Sequence, residues 1–166
     1  HINATGNLLA NTIVGNAGNN TLDGKAGADI MRGGKGNDAY IVDNVGDKVV
    51  EAGNAGTDAV RSSVTYTLST NVENLVLTGT GNIKGTGNAG ANTLTGNSGN
   101  NALKVLRATR STLVPNAGLS VAEASDAGTD TVRSSVTFGL SANVEHLVLT
   151  GSDNINGNGN SGANSI

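Results

Sequence analysis

GNAGNNTLD (Gly15–Asp23), GKAGADIMR (Gly24–Arg32), GGKGNDAYI (Gly33–Ile41) and VDNVGDKVV (Val42–Val50) follow one another without a break. In this register position six is Asn20, Asp29, Asp38 and Asp47, and position eight is Leu22, Met31, Tyr40 and Val49. A polar, mostly acidic side chain and an apolar one recurring every nine residues describe a coil that stacks on itself. Positions one to six read as a Gly-rich turn. The residues that follow read as a short strand whose position-eight side chain points inward. Stacking sets acid above acid, and carboxylates held that close repel unless a cation lies between them.

Working outward, the phrase has a degenerate copy upstream, GNLLANTIV (Gly6–Val14), with Asn11 at position six and Ile13 at position eight. After the intervening Glu51 and Ala52 it resumes as GNAGTDAVR (Gly53–Arg61), with Asp58 and Val60 in the same places. A larger period lies above this one. SSVTYTLSTNVENLVLTG (Ser62–Gly79) returns as SSVTFGLSANVEHLVLTG (Ser134–Gly151), an offset of 72. NTIVGNAGNNTL (Asn11–Leu22) returns as NTLTGNSGNNAL (Asn92–Leu103), an offset of 81. The offsets differ by one nonapeptide, so the second copy has lost one coil element between Leu103 and Glu123.

Two large repeats result. Residues 1–81 hold nonapeptides at 6–61 and a solenoid segment at 62–81; residues 82–166 hold a degenerate array, divergent at 104–115, and a solenoid segment at 134–166. Within the first segment Val60, Val64, Leu68 and Val72 recur, Leu75 and Leu77 alternate as a strand would, and GTGN (Gly85–Asn88) reads as a closing turn. The fold class is all-β: a right-handed parallel β-roll or β-solenoid, with strands of successive coils about 4.8 Å apart. HINATGNLLANTI (His1–Ile13) aligns with NINGNGNSGANSI (Asn154–Ile166), so the chain starts and stops at one phase without evident caps. Uncapped coils expose sticky edges, so neighbouring repeats or subunits are expected at both ends.

Composition narrows the field. There are 25 Gly, one Pro, and only Tyr40, Tyr66 and Phe138 as aromatics, so the core must be thin and aliphatic. Gly, Asn and Thr dominate and no 3.6-residue period appears, which argues against helix. A net charge of −3 predicts neither nucleic-acid nor membrane-surface binding. Absence of Cys removes disulfide frameworks and Cys-zinc sites. No apolar run approaches the roughly 20 residues that span a bilayer, so no membrane insertion is expected. The chain opens at His1, inside a repeat and without a signal peptide, and reads as part of something longer.

If each nonapeptide is half a coil, stacked partners lie two phrases apart: Asp29 with Asp47, Asp38 with Asp58, Asn20 with Asp38, Asn11 with Asp29. A hard divalent cation relieves the repulsion between paired carboxylates. Turn carbonyls add oxygens toward the six to eight that Ca²⁺ takes, and Mg²⁺, smaller and octahedral, fits worse. GKAGADIMR and GGKGNDAYI resemble the G-G-x-G-x-D-x-U-x nonapeptide of repeats-in-toxin (RTX) proteins, a Ca²⁺-binding β-roll. The resemblance implies calcium ligands at Asp29, Asp38, Asp47 and Asp58, with carbonyls around Gly24, Gly27, Gly33 and Gly36. It also implies export by bacterial type I secretion and folding outside the cell, hence an extracellular or cell-surface location.

The chain departs from that pattern where Asn stands at position six: Asn11, Asn20, Asn92, Asn101 and Asn164. Asn lacks the anionic oxygen, so Asn11 and Asn20 are expected to be weaker ligands. Asn-only rungs are expected to form a hydrogen-bonded amide ladder instead. In the second copy Asp130 alone keeps a motif acid, which places Ca²⁺ mainly in the first third. The divergent KVLRATRSTLVP (Lys104–Pro115) carries three bases. It reads as a basic patch for an anionic glycan or neighbouring subunit, as a substituted loop, or as the product of a compensated frameshift.

Nothing here has the spacing of a catalytic motif. His1 and His146 lack acid–base partners, and no G-x-S-x-G, P-loop or H-E-x-x-H occurs. Glu73 and Glu145 repeat in equivalent places, as solvent-facing structural residues would. The chain is therefore expected to be a non-enzymatic, calcium-binding structural module. The alternatives are a self-assembling surface-layer or filament subunit and a glycan-binding module beside an extracellular enzyme.

Overall fold

The computed structural model describes residues 2–106, 112–114, 120–125 and 128–166. Every ladder in it is parallel. One face of the solenoid is a nine-stranded sheet built from β1 (Ala4–Thr5), β3 (Thr21–Asp23), β5 (Ala39–Val42), β7 (Ala59–Ser62), β9 (Asn74–Leu77), β11 (Thr93–Thr95), β13 (Thr112–Val114), β15 (Thr131–Ser134) and β17 (His146–Leu149). The opposite face is divided into three sheets. These comprise β2 (Thr12–Val14), β4 (Ile30–Arg32) and β6 (Lys48–Val49), then β8 (Tyr66–Thr67), β10 (Lys84–Thr86), β12 (Ala102–Val105) and β14 (Ser120–Glu123), then β16 (Phe138–Gly139) with β18 (Gly157–Asn158). The expected β-solenoid is the fold.

Register follows the nonapeptide. On the continuous face Leu22 lies opposite Tyr40, Tyr40 opposite Val60, Val60 opposite Leu75, and Leu75 opposite Leu94. On the other face Ile13, Met31 and Val49 stack in the same way. Leu22, Tyr40, Val60, Leu75 and Leu94 have no exposed surface at all. Full burial of one such side chain stabilises by about 1.5–3 kcal/mol, and these columns, joined by residues such as Leu68, Val72 and Val144, form the core. Nine residues advance the chain by half a coil, so consecutive phrases alternate faces.

That alternation explains the two offsets. Residues 72 apart share a face: Tyr40 is opposite Val60 and Thr112 is opposite Val132. Residues 81 apart do not. Thr12–Val14 lies in the divided face, whereas its sequence match Thr93–Thr95 lies in the continuous one. Removing one nonapeptide has carried the copy across the core.

The divided face breaks between β6 and β8 and again between β14 and β16, where the nonapeptide gives way to the Ser-Ser-Val-Thr module. Ser62 and Ser134, both fully buried, donate their hydroxyls to the carbonyls of Val64 and Val136 at 2.8 Å and so fix the sharper turn there. One sequence expectation fails nearby. Gly85 is no turn residue but the centre of β10, in register with both Tyr66 and Leu103. A Cβ there would press on Leu103 and Leu75, so those leucines fill the inward position and only Gly fits.

Candidate metal centre

The turns join the faces along two opposite edges, and each edge carries one column of position-six residues. Backbone N–H groups of one coil donate to the carboxylate of the next: Asn11 to Asp29 Oδ1 (2.7 Å) and Asp29 to Asp47 Oδ1 (2.9 Å) on one edge. On the other edge Asn20 donates to Asp38 Oδ1 (2.6 Å), Asp38 to Asp58 Oδ1 (2.7 Å) and Asp58 to Glu73 Oε2 (2.8 Å). The four pairings expected from the sequence are the pairings observed. Glu73 corrects the solvent-facing expectation: half-buried, it closes the second column as an acceptor. Glu145 does the same for Asp130 at 3.0 Å.

Two turn conformations occur, and Asp or Asn at position six separates them except at Asp47, whose turn has no positive φ. Turns ending in Asp29, Asp38 and Asp58 place position two in the left-handed region, at Lys25 (φ 63°), Gly34 (φ 103°) and Asn54 (φ 57°). Position four follows at Gly27 (123°), Gly36 (108°) and Gly56 (158°). A β-carbon at Gly34 or Gly36 would be strained by backbone angle and would also meet the backbone of the coil before. Among the described residues no G-N-x-x-x-N turn has a positive φ.

In those Asn turns the position-six Oδ1 accepts the N–H of position two, at 2.8 Å for both Asn92 from Asn88 and Asn101 from Asn97. The position-two amide then reaches back one coil. Asn88 Nδ2 donates to the carbonyls of Ser69 (2.6 Å) and Val72 (2.8 Å), Asn97 Nδ2 to Thr78 (2.9 Å) and Gly81 (3.1 Å), Asn160 Nδ2 to Ser141 (2.6 Å) and Val144 (2.8 Å). The expected side-chain-to-side-chain ladder of position-six Asn is thus replaced by an amide clamp. An amide has donors enough to satisfy two carbonyls of the coil below, so no cation is needed.

A carboxylate has no such donors. The second oxygens of Asp29, Asp38 and Asp58 are buried without a hydrogen-bond partner, and these residues are 0–2 % exposed. A buried, unpaired anionic oxygen is costly enough that native proteins neutralise it or give it a partner. The donor set fits a hard cation. The free oxygens of Asp29 and Asp38 lie over Gly24 and Gly33 of their own turns, where a Cβ would collide with them. The carbonyls of Gly24 and Gly33 face Gly6 and Gly15 of the coil before, that of Gly36 faces Gly56, and Gly27 rests on the Leu9 carbonyl. Asp47 differs from the other three. Its Oδ2 already accepts the N–H groups of Asp43 (3.2 Å) and Asn44 (3.1 Å).

These edges identify the repeat. Residues 5–40 and 86–104 match the model of the family described as RTX calcium-binding nonapeptide repeat (4 copies). They are RTX repeats. The match takes in the turns of Asp29 and Asp38 and, in the second stretch, the Asn92 and Asn101 turns, which contain no Asp. RTX sequence and acidic chemistry therefore coincide only in part: Asp47 and Asp58 fall outside the matched residues. No curated protein and no solved structure matches the chain.

Sequence reasoning missed Glu51. It sits in the two-residue interruption, yet it is 8 % exposed, and one oxygen each from Asp38, Glu51 and Asp58 lie within 4.8 Å of one another. Burial, then the charges of Asp58 and Asp38, push its carboxyl up to about 7. Asp58 is also raised, by burial first. The interruption recurs in the second copy as Glu123–Ala124, with Asp130 in the place of Asp58. There burial, a hydrogen bond with Asp130 and the neighbouring charges push Glu123 up to about 9. Recurrence of Glu at the same offset of 72 was the available signal. Half of the divergent basic stretch, residues 107–111 and 115, lies outside the described residues.

Proposed function

We propose that this chain is a non-catalytic, calcium-stabilised structural module of a secreted or cell-surface bacterial protein. Ca²⁺ met outside the cell completes the acidic coils, and amide-clamped coils stack without it. The observation that carries this reading is the set of buried, partnerless carboxylate oxygens on Asp29, Asp38 and Asp58, stacked beside turn carbonyls. Ca²⁺ held by these oxygens and by carbonyls around Gly24, Gly27, Gly33 and Gly36 would turn a repulsive column into a cross-link between coils. Export by type I secretion and localisation outside the cell belong to the same reading. Low cytosolic Ca²⁺ keeps the acidic coils open until the chain has passed through.

Circular dichroism and thermal melting in Ca²⁺ and in chelator test it. The expected result is a saturable Ca²⁺-dependent gain in β-structure and a higher melting temperature. Indistinguishable spectra and melts in the two conditions would sink the proposal.

A further inference from the structure

We propose that the Glu51–Ala52 interruption is itself a metal-site element: Glu51 joins Asp38 and Asp58 as the third carboxylate of a buried Ca²⁺ site that the nonapeptide alone does not encode. The inference rests on the calcium reading above and adds a ligand from outside the repeat phase.

Three observations carry it. The first is proximity: the three carboxylates converge to within 4.8 Å, all of them buried. The second is that Asp38 and Asp58, 2 % and 0 % exposed, each keep one buried oxygen with no partner. The third is that Glu51 is held in place. Its carboxylate accepts the Tyr40 hydroxyl and the Ala52 N–H (3.2 Å), and its own carbonyl accepts Asn71 Nδ2 (3.1 Å). Tyr40 is held in turn by the Gly33 N–H, 2.8 Å from its hydroxyl. A core tyrosine thus aims an inserted glutamate at the seam between two motif aspartates.

Three carboxylates bring three negative charges and up to six oxygens, a set suited to a hard divalent ion of calcium size. The interruption lengthens the step between coils from 18 to 20 residues, since Thr21 faces Ala39 but Ala39 faces Ala59. The second large repeat supplies the contrast. It keeps Glu123 and Asp130, but at the same offset Asp38 becomes Arg110 and Tyr40 becomes Thr112.

Tyr40 also provides the assay, because terbium, a luminescent stand-in for Ca²⁺, emits when bound beside an excited tyrosine. The chain has no Trp and two Tyr, so a Tyr66→Phe background leaves Tyr40 as the one donor. In that background tyrosine-sensitised emission should be strong and displaced by Ca²⁺. Adding Glu51→Gln should cut it at least tenfold and remove one Ca²⁺ from the stoichiometry measured by equilibrium dialysis. Absence of any Ca²⁺ binding by the parent chain would defeat the calcium reading itself. Normal Ca²⁺ binding with unchanged emission and stoichiometry in Glu51→Gln would overturn this proposal alone. Melting in chelator is the second measurement. Removing the buried charge should leave Glu51→Gln at least as stable as the parent, and a lower melting temperature there also overturns the proposal.

Discussion

Replacing Asp38 with Asn should stabilise the protein in one condition and destabilise it in the other. Asp38 Oδ1 accepts the Asn20 N–H, a bond that an Asn side chain can keep. The other oxygen becomes an amide in the cluster with Glu51 and Asp58, within 4.8 Å, and can supply the donor that the second oxygen of Asp58 lacks. At that separation each ionised pair repels by about 3.5 kcal/mol at an effective dielectric of about 20. Asp38→Asn removes two of the three pairs. Relaxation and solvent screening relieve much of this, and Glu51, pushed to about 7, is mostly ionised at pH 8, so the expected gain in chelator at that pH is about 2 kcal/mol, or about 4–8 °C in Tm for a chain of this size. Saturating Ca²⁺ reverses the order. A site filled at 1,000 times its Kd contributes about 4 kcal/mol; the variant forfeits most of it and should melt below the parent. Paired thermal melts by circular dichroism read both signs. A variant less stable than the parent in chelator would refute the view that this column is held apart by unneutralised charge.

Three further outcomes follow from the same geometry. Stability in chelator should decline as pH rises: Glu51, pushed to about 7, and Glu123, pushed to about 9, favour the folded state fully below their unfolded pKa of about 4.3 and lose that contribution as pH passes 7 and then 9. Melting curves from pH 5 to pH 9 check this, with Ca²⁺ expected to flatten the slope and a rise toward alkaline pH counting against it. Gly33→Ala should cost about 1–3 kcal/mol by overpacking, because its Cβ would strike the Asp38 carboxylate and the Tyr40 hydroxyl, whereas Gly53→Ala, facing open space, should stay within about 0.5 kcal/mol; urea denaturation compares them. Asn88→Ala should cost about 2 kcal/mol equally in Ca²⁺ and in chelator, since the clamp to Ser69 and Val72 is metal-free. A cost that appears in chelator alone would show that the Asn turns also rely on a cation.

The core was legible because position eight has one fate in the successive phrases from Gly15 to Arg61. Leu22, Met31, Tyr40, Val49 and Val60 are all buried where the nine-residue period places them. Gly85 was not, since a lone glycine in a polar stretch reads as a turn; the space it occupies is set by Leu75 and Leu103, far away in sequence. The turns show a subtler limit. GNAG occurs at Gly15–Gly18, Gly53–Gly56 and Gly87–Gly90, yet only the second, which ends in Asp58, has left-handed residues. Identical local propensity leads to two backbones because position six decides whether the turn is tied by an amide or left to a carboxylate. Of the candidate ligands, Asp29, Asp38 and Asp58 stack as their spacing predicts and each keeps a buried oxygen without a hydrogen bond, whereas both oxygens of Asp47 accept backbone N–H groups. Glu51 was hidden by its place in an interruption, since a period search discards what breaks the period.

The half-coil step has a consequence for how such an array can vary. A deletion of nine residues leaves every inward side chain inward, so the core cannot tell that anything was lost. It exchanges the two edges for everything upstream relative to everything downstream, as Thr12–Val14 and Thr93–Thr95 show. Length can therefore drift in units of nine at little cost to stability, whereas whatever reads a particular edge responds to whether the count is odd or even. A receptor, a neighbouring subunit or a row of bound ions would see parity where the hydrophobic core sees none.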